Sequence, residues 1–125
     1  MAKIAKELLP TNSQINEYLM LKDLLSSIYL EMKEFSKKKP DEPLNKFKVK
    51  NINRVLEPIK TILANQPTLT YLDLLDDDTL PSNSDAILVI GQFIASIDRF
   101  QKRYKFYSLA EKRERWSTQE NPIDN

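Results

Sequence analysis

From Tyr18 to Phe35 apolar side chains recur at alternating steps of three and four, through Leu21, Leu25, Ile28 and Met32. That spacing keeps every one of them on a single face of an α-helix and on no face of a strand. A helix with so continuous a seam has to lay it against other elements. The chain also holds one glycine, Gly91, in 125 residues, and glycine is what tight turns ordinarily recruit. Long helices joined by few connections are therefore expected.

A length of 125 residues suits one domain with a core large enough to need neither disulfide nor metal. With no cysteine and no histidine, thiol nucleophiles, the commonest proton shuttle and the usual zinc ligands are missing. Cysteine-free composition fits a cytoplasmic location. The opening residues, Met1 to Glu7, lack the apolar stretch of a signal peptide. The densest apolar run, Ala86 to Ile97, is interrupted by Gly91 and Gln92 and falls short of the ~18 apolar residues of a membrane span. No membrane partner is expected.

Thr11, Asn12 and Ser13 can cap a first helix that runs to about Lys38, where Lys37, Lys38 and Lys39 suit the negative helix end and Pro40 and Pro43 mark a loop. Helical spacing resumes in Leu44, Phe47, Ile52, Val55, Leu56, Ile59, Ile62 and Leu63. Pro58 is expected to kink or divide that helix near Arg54 to Glu57. A short helical piece around Leu69 to Leu75 follows, then a loop in which Ser82 or Ser84 caps the last helix, with Asp85 in its first turn. The last helix is expected to be the longest, central and buried over Ala86 to Ile97, with Gly91 and Ala95 admitting a close neighbour. Its seam of Phe93, Ile97, Phe100, Tyr104 and Tyr107 should carry it past Lys105 toward Lys112. The predicted fold class is all-α: an antiparallel bundle of three long helices plus a short helix. Residues 1–116 form one domain and residues 117–125, which lack any apolar period, a flexible tail.

A net charge of +1 conceals segregation. Residues 1–66 carry twelve bases and eight acids, residues 67–98 six acids and no base, residues 99–116 seven bases and two acids, and the last nine residues two acids. Local fields of this kind decide which partners approach. The acidic group, Asp73, Asp76, Asp77, Asp78 and Asp85, does not fit a calcium loop: counted from Asp76, the sixth and twelfth positions are Pro81 and Ile87 where glycine and glutamate belong. It reads as a solvated or partner-facing loop, and neither a metal nor a cofactor is expected. The lone Ser-x-x-Lys match, Ser36 to Lys39, lies in a charged loop and does not make a nucleophile. The chain is read as a non-enzyme.

The bases make two clusters. Lys46, Lys48, Lys50 and Arg54 lie in the second helix, near Lys37, Lys38, Lys39 and Lys60; Arg99, Lys102, Arg103, Lys105, Lys112 and Arg113, with Arg115, lie near the end. Aromatics interleave the second cluster, and Phe106 and Trp116 stand off the seam. Cations that neutralise phosphates beside rings that stack on unpaired bases are what sequence-tolerant single-strand binding needs. The ten residues from Lys46 to Arg113 named above are the candidate contacts to a single-stranded DNA or RNA backbone. Ordinary solvated helix faces, or a surface for an acidic protein partner, account for the same residues equally simply.

In size, helical content, basic faces and two segments, Thr11-Asn12-Ser13-Gln14-Ile15 and Phe93 to Tyr104, the chain resembles the small helical subunit of multisubunit CRISPR effector complexes. The resemblance implies a non-catalytic structural subunit that stacks with copies of itself against larger protein subunits and holds nucleic-acid backbone, the displaced strand included. The alternative reading is a helical protein-interaction module, such as an antitoxin, immunity or adaptor protein, with no nucleic-acid contact.

Overall fold

The structure is a computed structural model that describes residues 5–125; the sequence reading of the first four residues lies outside them. Three α-helices dominate: α1 (Asn12–Lys38), α2 (Lys46–Ile62) and α3 (Asn83–Tyr104). Two short strands follow, β1 (Lys105–Ser108) and β2 (Arg113–Trp116), paired antiparallel with Lys105 opposite Trp116 and Ser108 opposite Arg113. The fold is predominantly helical, and the expectation of a sheet-free chain is corrected by this hairpin.

Each helix starts where its side chains satisfy free amides. The Thr11 hydroxyl accepts from the Gln14 amide at 3.1 Å, and the Gln14 side chain accepts from the Thr11 amide at 2.9 Å, a reciprocal cap. Asn45 accepts from the Lys48 amide and Ser82 from the Asp85 amide. Pro58 sits inside α2, which is undivided: its missing N–H orphans the carbonyl of Arg54, an exposed residue that water can serve. The expected helix at Leu69 to Leu75 is a 3-10 turn that starts two residues earlier and ends four earlier, Pro67–Tyr71.

α1 packs on both α2 and α3. The loop after α1 sets the start of α3: the amides of Asn83 and Ser84 donate to the carbonyls of Glu42 and Pro40, the Leu44 amide donates to Pro81, and the Asn83 side chain donates to the Lys39 carbonyl. Near the other end, the Tyr18 hydroxyl donates to the Ile97 carbonyl at 2.9 Å, so α1 and α3 run antiparallel. The core between them takes Tyr18, Leu21, Leu25 and Met32 from α1, Val49, Ile52, Leu56 and Ile59 from α2, and Ala86, Ile90, Phe93, Ile97, Phe100 and Tyr104 from α3.

Three expectations about α3 are corrected. α1, at 27 residues, is longer than α3, at 22. α3 is not buried all round, because Leu88 is 63% exposed and Ala95 is exposed. A side chain at Gly91 would meet nothing within 4 Å, so no neighbour uses the small residues there.

α3 also stops at Tyr104. Lys105 caps it in an extended conformation, which turns Tyr107 outward from the seam and brings Trp116 back against Tyr18 and Phe100, at ring separations of 5.2 and 6.0 Å. The turn between the strands places Lys112 at φ 55°, the left-handed region, and its amide donates to the Ser108 carbonyl. Residues 117–125, expected to be a free tail, fold back on the chain. Ser117 and Thr118 are buried, Gln119 donates to the Leu9 and Pro10 carbonyls, and the Glu120 carboxylate accepts from the Asn12 amide at 2.9 Å.

Leu25 is fully buried and Ile94 only partly so. Leu25→Ala is expected to lower stability by about 2–5 kcal/mol, and Ile94→Ala by clearly less, in urea melts. At Lys112, Lys112→Gly relieves a left-handed side chain and should be neutral or stabilising by up to about 1 kcal/mol. Lys112→Val, branched at the same φ, should destabilise, and the two thermal midpoints should fall in that order.

Candidate nucleic-acid interface

The side-chain cap by Asn45 fixes the first turn of α2, and with it the phase of every base that follows. Val49, Ile52, Leu56 and Ile59 turn to the core. Lys46, Lys50 and Arg54, four residues apart, then share the opposite face, rising about 6 Å per step. All three are exposed, and among the described residues no carboxylate lies within salt-bridge distance of them. Lys48 leaves this row: it is half-buried, with its ammonium 4.3 Å from the centre of the Phe35 ring. That contact covers part of Phe35, which is 41% exposed at the end of the α1 seam.

The second cluster divides the same way. Arg99, Lys102 and Arg103 are exposed on the last turns of α3, away from Ile97, Phe100 and Tyr104, and Arg103 also lies 5.6 Å from the Tyr104 ring. Lys105 belongs to β1, half-buried, with its ammonium 5.9 Å from the Trp116 ring. Lys112 stands in the hairpin turn and Arg113 pairs with Glu111 at 3.1 Å. Of the ten sequence-predicted contacts, six thus form two open basic faces. Lys48, Lys105 and Arg113 are engaged within the chain, and Lys112 stands apart.

Arg115 is also engaged: it pairs with Glu111 and donates to the carbonyls of Trp116 and Asn121, at 2.8 and 2.6 Å, holding the final segment to the hairpin. The hydrogen bond from Arg115 and the charges of both arginines hold the Glu111 carboxyl below the usual carboxylate range. Trp116 and Phe106, the off-seam rings with stacking or packing as their two readings, are both half-buried, and Trp116 packs against the core. Exposed rings are Phe35, Phe47, Tyr71 and Tyr107, at 41%, 76%, 73% and 52%, and of these Tyr107 lies nearest in sequence to the second cluster. Sequence reasoning passed over Tyr107 by placing it on the helical seam.

The acidic loop flanks the α2 row. The Asn53 side chain accepts from the Leu75 amide at 2.9 Å and donates to the Leu75 carbonyl at 2.8 Å, and Pro81 is bound to Leu44 beyond the far end. Asp76, Asp77 and Asp78 are therefore strung beside the first half of α2. Their carboxylates approach within 4.8 Å of one another. Asp76 is already committed to its own turn: it accepts from the Asp78 amide at 2.8 Å, and that bond, with one from Thr79, lowers its pKa.

A pocket of about 50 Å³ lies between Leu8 to Pro10 and the ends of α2 and α3, far below the ~300–1,000 Å³ of small-molecule sites. Among its lining groups, the Tyr104 hydroxyl accepts from Gln66 at 2.9 Å and donates to the Leu8 carbonyl at 3.3 Å. Burial, with the charge of Asp98, raises the Tyr18 pKa far above its ordinary value, so this phenol stays neutral and serves as a hydrogen-bond donor. No helix among the described residues is long and apolar enough to cross a membrane. Compared with known proteins, the chain matches no family model, no curated sequence and no solved structure.

Proposed function

We propose that the chain is a non-catalytic structural subunit whose basic faces hold the phosphate backbone of single-stranded DNA or RNA, within an assembly of larger protein subunits of the CRISPR effector type. In this reading the three long helices act as an antiparallel bundle that gives the faces a rigid support. The carrying observation is the row of Lys46, Lys50 and Arg54. Three cations at one-turn intervals, exposed and without an acidic partner among the described residues, are free to replace the counterions of a polyanion. Arg99, Lys102 and Arg103 supply a second face, and Tyr107 and Tyr71 are rings that unstacked bases can meet.

A docking module for proteins is the second reading. It draws on Phe47, 76% exposed on α2, and on the acidic loop beside it.

The test compares wild type with the triple variant Lys46→Gln, Lys50→Gln, Arg54→Gln on a single-stranded oligonucleotide across a salt series, both as the free chain and within its assembly. Binding should be indifferent to sequence, and the salt slope should flatten by roughly 0.7 for each single-strand phosphate that the variant no longer neutralises. Arg113→Gln, which removes a cation already paired to Glu111, should change the slope little. Stability should hardly move in the triple variant, since exposed cations contribute little to folding. Equal binding by wild type and triple variant at every salt concentration would remove the nucleic-acid reading and favour the protein-docking one.

A further inference from the structure

The outward face of α3 is neither covered nor random. Leu88 is 63% exposed, Ala95 is exposed, and a side chain at Gly91 would enter open space. At 100° per residue these three positions point the same way, opposite the buried Ile90, Phe93 and Ile97. Charge is graded along this face. Asp85 stands in the first turn, just after the Asp76 to Asp78 loop, and Arg99, Lys102 and Arg103 stand in the last turns. These four side chains are exposed, and none has an oppositely charged partner within salt-bridge distance among the described residues. Asp98 sits to the side that faces α1, where its charge acts on Tyr18.

We propose that this face is a self-complementary surface on which a second copy of the chain docks, α3 against α3 and antiparallel. The charge order selects both occupant and direction. A two-fold axis crossing α3 near Gln92 brings Asp85 of each copy to Arg99 of the other, because the two residues are equidistant from the axis. It also sets Leu88 and Ala95 of the two helices against each other, with Gly91 letting the backbones approach. A parallel arrangement would place acid on acid and base on base, which costs free energy. The contact is isologous and therefore closes at two copies. A single helix face of 22 residues, about 33 Å long, lies at the low end of specific interfaces, so the pair should be concentration-dependent and weakened by salt. This inference does not depend on the α2 row of Lys46, Lys50 and Arg54, which lies on another helix; in the paired chain Arg99 faces Asp85 of the second copy and leaves the second basic face.

Sedimentation of the full chain over a wide concentration range, at low and high salt, tests it. A monomer–dimer equilibrium at low salt that shifts toward monomer at high salt is expected. Gly91→Gln fills open space in the monomer and improves helix propensity, so circular dichroism should show an intact fold while dimer affinity falls by at least about tenfold. Asp85→Lys and Arg99→Asp should each weaken the dimer, and the double variant Asp85→Lys, Arg99→Asp should recover it. A monomer at every concentration in low salt would overturn the proposal. So would growth beyond two copies, a dimer indifferent to Gly91→Gln, or a double variant no better than its single parents.

Discussion

The Tyr18 side chain is the point on which the architecture turns. A buried phenol must find an acceptor, and Tyr18 finds the Ile97 carbonyl of α3 at 2.9 Å. That bond fixes the offset between two antiparallel helices at one turn. The ring then stacks on Phe100 at 5.1 Å and meets the edge of Trp116 at 5.2 Å, so the same residue that joins α1 to α3 also seats the hairpin. Lys22, one turn further along α1, adds a bond to Gln101 at 2.9 Å on the same flank. The Tyr18 ring is thus one surface shared by α1, α3 and the hairpin.

Two helix starts were legible because caps are local chemistry. Thr11 and Ser82, both among the caps offered by the sequence, act within three residues of themselves, and the prolines at 40 and 43 close the first helix region in the same local way; Asn45 caps α2 by the same chemistry and was passed over. The hairpin was not legible for a matching reason. Its turn contains neither glycine nor an Asn-Gly pair, and Lys112 takes the left-handed conformation in their place. The helical seam of Phe93, Ile97, Phe100 and Tyr104 continues in register to Tyr107, so periodicity alone extends α3 through β1. What ends the helix is tertiary: Trp116 returns to the Tyr18 and Phe100 rings, and the strand that carries it needs a partner.

The site was legible as composition and not as geometry. Lys46 and Lys48 are chemically indistinguishable, yet two positions along a helix is a rotation of 200°, which sends one into solvent and the other onto the Phe35 ring. Arg113 and Arg115 read as free cations until Glu111 is seen between them. The acidic loop shows the same limit. Its charge is obvious from Asp76, Asp77 and Asp78, but its place beside α2 depends on Asn53, whose single amide group binds both polar groups of Leu75. No periodicity marks a residue with that task.

The start of α1 is capped twice, and the two caps belong to different stages of the chain's history. Thr11 and Gln14 are three residues apart and can bond as soon as the first turn forms. Glu120 reaches the Asn12 amide across 108 residues of sequence, a bond whose loop-closure entropy can be met only after the helices have packed. A ribosome emits residues 11 to 14 long before residue 120. The local cap therefore needs nothing beyond the first turn of α1, whereas the distant carboxylate can add to it only once the two ends of the chain have been brought together.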